Sequence, residues 1–204
     1  MGNDKKKELR DELVEYFRAN RVDLRNMWVK EMRGKGLLQG LSSREIEMES
    51  AAIYDTCIEC LASENFEGAE IYARSMAKKG VLQGMTTEQI IAGMLTLRDV
   101  YASALCRKYN GDVTGFNGAL SVYEPVADKI LSIVAMAFVS EKTRDLEKAK
   151  TELEQRVVER TRELQQKVEE LEKFNRFAIN SELRMMGLKK RIKDLENRLN
   201  GVRE

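Results

Sequence analysis

The 204-residue chain contains no histidine. That absence removes histidine-ligated haem, the ordinary mixed Cys/His zinc site and phosphohistidine chemistry. Proline occurs once, at Pro125, and no stretch sustains the β-branched alternation of a strand, so the fold class reads as all-α. Cysteine is sparse and odd in number, three residues in a chain whose charged start, MGNDKKKELRDEL, has no signal-type apolar segment behind it. A disulfide framework is therefore not expected, and the chain should stay in the cytoplasm. Lys6 stands where a myristoylation motif after Gly2 needs Ser or Thr. No charge sign dominates: 35 basic and 34 acidic residues are interleaved, leaving no field that would recruit nucleic acid or an acidic membrane. Long apolar runs are missing too. The longest, Ile130 to Val139, is interrupted by Ser132 and falls well short of the about 20 residues a bilayer demands, so no membrane insertion is expected.

What the chain does have is unevenly distributed. The last 64 residues hold 17 basic and 14 acidic side chains, roughly half their number, whereas the preceding segment is richer in apolar residues. This divides the chain into a helical core domain over residues 1–140 and a charged coiled-coil or dimerisation region over 141–204. In the core domain, Leu9, Leu13 and Phe17, then Leu24, Met27, Trp28 and Met32, recur at helical spacing from Asp4 to Met32, in one helix or two. The segments GLLQGLSSREI (Gly36 to Ile46) and GVLQGMTTEQI (Gly80 to Ile90) match position for position. In each copy a glycine is expected to end a helix, and Ser42 with Glu45, or Thr86 with Gln89, to form a capping box that starts the next. Helices are then expected at about Ser43 to Ser63, Phe66 to Lys79 and Thr86 to Tyr109. The glycine-bearing NGDVTGFNG (Asn110 to Gly118) reads as a loop, without the flanking strand or Gly-Lys-Ser/Thr ending of a phosphate site. Pro125 suits the first turn of a last helix.

From Pro125 onward no breaker appears until Gly187, so one long helix is expected, roughly 110 Å if continuous. Leu146, Lys150, Leu153, Val157, Thr161, Leu164, Val168, Leu171, Asn175 and Ala178 follow steps of four and three residues, with one four-residue stutter between Leu153 and Thr161. A stripe so narrow on a helix otherwise covered by charge needs a partner helix, and a parallel homodimer is the simplest. Asn175 in the seam would fix register and favour two strands. Past Leu171 the apolar surface widens through Phe174, Phe177, Met185 and Leu188, before Ile192, Leu195, Leu199 and Val202 resume the steps. Both a four-helix meeting and a continued two-stranded coil fit that pattern.

Chemistry-bearing groups are few. Cys57 and Cys60 form a Cys-x-x-Cys on one helix face with Ile53 and Leu61; lacking a second pair, they read as core thiols. Carboxylates lie on solvated helix faces. No catalytic, cofactor-binding or metal-binding residue is assigned, and no enzymatic activity is expected. A ligand, if one is bound, should be apolar or flat, with Tyr54, Cys57, Met94, Tyr101 and Cys106 as candidate lining residues.

Two resemblances follow. LRNMWVKEMRGKGLLQGLSSREI and KKGVLQGMTTEQIIAGMLTLRDVY, within residues from about Asp11 to Val139, resemble the N-terminal sensor domain of the RsbR family, co-antagonists of the bacterial stressosome. That resemblance implies a globin-like, dimeric, haem-free helical domain that feeds a long linker helix; the family's phosphorylatable STAS domain has no counterpart here. LEQRVVERTRELQ and LEKFNRFAINSELRMMGLKKRI, within Leu153 to Leu199, resemble the linker and dimerisation helix of bacterial two-component sensor proteins. In such a kinase the core runs Ser-His-Glu-Leu-Arg, whereas Ser181 is followed directly by Glu182, Leu183 and Arg184, so the phosphoacceptor is missing. Together these imply a cytoplasmic signal-transduction module that passes a signal from a haem-free helical domain, through a homodimeric coiled coil, to a signalling partner or output domain. A ligand-free scaffold in a stressosome-like or two-component complex is the alternative.

Overall fold

The computed structural model describes residues 3–200, with side chains for residues 4–195. Every regular element among the described residues is a helix: α1 (Asn3–Ala19), α2 (Arg21–Gly34), α3 (Ser43–Ser63), α4 (Glu67–Leu82), α5 (Thr87–Lys108) and α6 (Val113–Asn200). No helix among them is long and apolar enough to cross a membrane. The chain divides into two compact units, Met1–Leu146 and Glu147–Glu204.

In the first unit, apolar residues at three- and four-residue spacing put one stripe of each helix into a common core. Leu13 and Phe17 of α1, Leu24 and Trp28 of α2, and Ile53, Ile58 and Leu61 of α3 are all buried. Helix α2 packs on α5 and α3, α1 on α3, and α3 on α4. The buried face of α4 is built from Ala69, Ala73, Ala77 and Gly80, whose lack of bulk lets neighbouring elements approach closely. Ala119, Val122, Val126, Ile130, Val134 and Phe138 of α6 complete the core. At its centre Tyr101 meets Phe17 edge-on at 4.6 Å between ring centroids and stacks on Tyr54 at 5.3 Å. The Tyr54 hydroxyl donates to the Phe17 carbonyl at 2.8 Å. Arg25 is buried and its Nη2 is paired, donating to Glu47 Oε1 at 2.6 Å, to the Glu47 carbonyl at 3.0 Å and to Ser50 Oγ at 3.1 Å, while its buried Nε has no partner.

Both capping boxes form. The Ser42 hydroxyl accepts from the Glu45 amide at 3.2 Å while the Ser42 amide donates to Glu45 Oε2 at 2.8 Å; Thr86 and Gln89 repeat the arrangement at 3.2 and 2.9 Å. Those bonds hold the Glu45 carboxyl below its ordinary value. In each copy a glycine ends the preceding helix, as expected, but the two stops do not fall at equivalent positions. In the first copy Gly36 adopts φ +70° and the Leu37 amide closes back on the Met32 carbonyl at 2.9 Å. In the second, Gly80 stays helical and the same closure occurs four residues later, at Gly84 with φ +74° and a bond from the Met85 amide to the Gly80 carbonyl at 2.9 Å. The cause is local: Gly34 and Lys35 precede the first stop, whereas Ala77, Lys78 and Lys79 carry α4 onward with good helix formers.

Two expectations need correction. Asn110 to Gly118 is not a loop throughout, since α6 begins at Val113. Gly111 makes the turn at φ +86°, and Asp112 Oδ1 accepts from the Gly115 amide at 2.9 Å, capping the new helix. Pro125 lies inside α6 rather than at its start. It is tolerated because Pro125 and Ser121, whose carbonyl loses its amide donor, sit on the solvent side while Val122 and Val126 point into the core.

The second unit is the continuation of α6 from Glu147. Its side chains are exposed through residue 195 except for the half-buried Ala178. Leu199 and Val202 lie outside the residues whose side chains are described.

Candidate functional site

Five residues from the sequence pattern do not share one cavity. Cys57, Met94 and Tyr101 line a space of only about 20 Å³, room for about one water, so they are packed core. Tyr54 is buried behind them. Cys106 is exposed and belongs to no binding surface with the others. Five helical residues separate it from Tyr101, a rotation of about 140°, which turns it to the other side of α5. Burial pushes the Cys57 thiol up to about 12, with the neighbouring Cys60 adding to the effect, and burial also raises Cys60. Both stay protonated at neutral pH, which leaves neither the thiolate needed for disulfide exchange nor that for metal binding. The native protein is expected to titrate one thiol promptly with Ellman's reagent, at Cys106, and all three in denaturant. Immediate reaction of all three would mean that the core does not protect the pair.

The roomier site lies elsewhere. A cavity of about 240 Å³, partly open to solvent, is lined by residues of α2, α3, α4, α5 and the turns between them. Met32, Met48, Met76, Met85 and Met94 line it, half of the ten methionines in the chain, together with Trp28 and Tyr72. Thioether side chains are flexible and polarizable, so such a wall adapts to the shape of what it meets. Two glycines shape the walls. A Cβ on Gly93 would stand 3.0 Å from Met32 Cε, and the Gly93 carbonyl accepts from Trp28 Nε1 at 3.1 Å. A Cβ on Gly80 would stand 3.0 Å from Phe138 Cε2, so this part of α4 and the end of the core segment of α6 are in direct contact. Met48, 62% exposed, and Lys79 mark the outer edge.

The charges at the cavity are already spent on one another. Lys79 Nζ donates to Glu49 Oε1 at 2.8 Å, and the Tyr72 hydroxyl donates to Glu49 Oε2 at 3.3 Å. Burial, reinforced by the Glu49 carboxylate, raises the Tyr72 phenol so that it remains a neutral donor. Glu45 is held by its capping box. Among the described residues, no three Cys, Asp or Glu side chains come together as a metal site would require. Of the sequence candidates only Met94 reaches this cavity. The signal that could have found it is the run of methionines between residues 32 and 94, together with Gly93 in the middle of a helix that does not break there.

A second surface is carried by α6. Leu146, Leu153, Val157, Leu164, Val168 and Leu171 are between 53% and 68% exposed and recur along one side of the helix. Thr161 in the same line donates its hydroxyl to the Val157 carbonyl at 2.8 Å and so asks nothing of a neighbour. Within the pattern one set never breaks: Lys150, Val157, Leu164, Leu171, Ala178, Met185 and Ile192 recur every seventh residue. Its companion changes. Leu153, Leu188 and Leu195 follow their partners by three residues, whereas Thr161, Val168 and Asn175 follow theirs by four. One residue is about 100° of helix, so the middle of the stripe swings by about 50° and then returns. At Leu171 both companions exist side by side, Phe174 at three residues and Asn175 at four.

In comparison with known proteins the chain matches no family model, and no curated protein or solved structure matches it.

Proposed function

We propose that this chain is a non-enzymatic input module of bacterial signal transduction, which converts a change in its helical head into a change in the packing of a parallel homodimeric coiled coil. One observation carries the reading. Helix α6 presses Phe138 against Gly80 in the cavity wall, and the same helix bears the exposed heptad stripe. A shift of the α4 wall would therefore act on α6 directly. Two alternative stripes at Leu171 supply the second state: a rotation of about 50° exchanges buried Asn175 for buried Phe174, and a polar seam residue against an aromatic one makes the two packings differ in energy without forbidding either. The resemblance to RsbR-type sensor domains and to two-component linkers supports the same assignment, with a globin-like haem-free head, a cytoplasmic setting and a signalling protein as recipient.

Disulfide crosslinking tests it. In a Cys106→Ser background, Phe174→Cys and Asn175→Cys should each yield covalent dimers at micromolar concentration, and the ratio of the two yields should change when the head is perturbed by Gly80→Ala. A parallel coil would be ruled out if neither variant crosslinked. An unchanged ratio would separate the coil from the head.

A further inference from the structure

We propose that the methionine-lined cavity is a ligand site for a compact, uncharged aromatic molecule of roughly ten to fifteen non-hydrogen atoms. The inference deepens the sensor reading, since it names what the head would detect, but its evidence is confined to the cavity. Size comes first. At about 240 Å³ the space exceeds the about 150 Å³ that accommodates a single benzene ring and is smaller than the pockets that take drug-sized molecules. A fused two-ring compound fills the interval between them.

Charge selects next. Lys79 is paired with Glu49, which also accepts from Tyr72, and Glu45 is committed to the Ser42 amide. An ionic ligand would find no unpaired countercharge and would lose its hydration on entry, so neutral molecules are favoured. The lining chooses among those. Trp28 and Tyr72 offer aromatic surfaces, and the five thioethers can approach a ring edge or face without a fixed geometry. A phenolic or amide group near the outer edge could exchange hydrogen bonds with Gln83, an exposed side chain of the lining.

The protein contains its own reporter, because Trp28 is the sole tryptophan and lies in the cavity wall. Full-length protein is titrated with 2-naphthol, and in parallel with 2-naphthoate, while Trp28 emission and the melting temperature are followed. The expected result is saturable quenching by naphthol, a melting temperature that rises with its concentration, and affinity for naphthoate weaker by about tenfold or more. Met76→Glu, which puts an unpaired carboxylate inside, and Met48→Glu, at the exposed edge where folding is not at stake, should each weaken naphthol binding by about tenfold. The proposal is overturned by an absence of saturable quenching, by equal affinity for the anion, or by quenching that survives both substitutions. It is overturned also if Trp28 emission follows protein concentration and not naphthol, since a second copy would then cover the cavity. The Phe174 and Asn175 crosslinks, measured in the same samples, keep the two readings apart: binding with an unchanged crosslink ratio leaves the site and removes the coupling, and an intact coil without binding removes the site alone.

Discussion

Replacing Leu164 and Leu171 together by lysine should turn a paired chain into a single one, with the dissociation constant raised by roughly a thousandfold or more. Both side chains stand more than 60% exposed on α6 and belong to the heptad set that includes Val157 and Ala178. In a two-stranded coil each would be covered by its counterpart, and burying a leucine contributes about 1.5–3 kcal/mol. Two leucines on each of two chains, discounted for partial exposure at the edges of a coil, amount to at least about 4 kcal/mol, which corresponds to that factor in affinity. Lysine at these positions adds repulsion between like charges. Gln166→Lys, on the opposite side of the same turn, should leave the affinity unchanged. Sedimentation equilibrium decides: wild-type chains that are already single at micromolar concentration, or a double variant that remains paired, would refute the seam. The head should melt at the same temperature in all three proteins, because neither leucine belongs to its core.

The second large effect is expected at Phe138. Its ring is fully buried and rests on Gly80, the position where α4 has no side chain to interpose. Phe138→Ala removes that ring from a core that cannot collapse around it, because the facing wall is backbone. The loss should be about 3–5 kcal/mol by urea unfolding. Val139→Ala one residue away, where the side chain is 52% exposed, should cost much less, about 0.5 kcal/mol. Equal costs at the two positions would mean that the α6 core face is not packed as described. The comparison also bears on coupling: a residue that both stabilises the head and touches the cavity wall is the place where occupancy and helix position would be exchanged.

Sequence and structure agree where the determining interactions are local. Ser42 with Glu45 and Thr86 with Gln89 lie three residues apart, so a capping box can be read from the letters, and α3 runs over the expected Ser43 to Ser63. The spaced apolar residues of α1 and α2, and the step pattern of α6, are legible for the same reason. Misreadings arose where neighbours distant in sequence decide. The letters leave open which glycine of each repeat ends the helix: Gly36 stops α2, whereas its counterpart Gly80 stays within α4, where the missing side chain serves contact with Phe138, 58 residues further on. Asn110 to Gly118 reads as a loop from its glycines, although Asp112 caps a helix there. Residue type alone points to the five candidate lining residues; packing decides that Cys106 faces solvent, that Tyr54 and Tyr101 are buried in the core and that Cys57 packs against it.

By itself the sequence determined the all-helical class, the start sites of α3 and α5, and the heptad stripe of α6, since each depends on side chains within a turn or two of one another. The tertiary structure alone decided that Pro125 could sit within a helix, that five methionines from four helices and a turn would line one cavity, and that Phe138 of α6 would rest against Gly80 in its wall. Those outcomes rest on contacts between residues tens of positions apart, whose meeting is settled by the packing of whole helices and leaves no periodic trace in the chain.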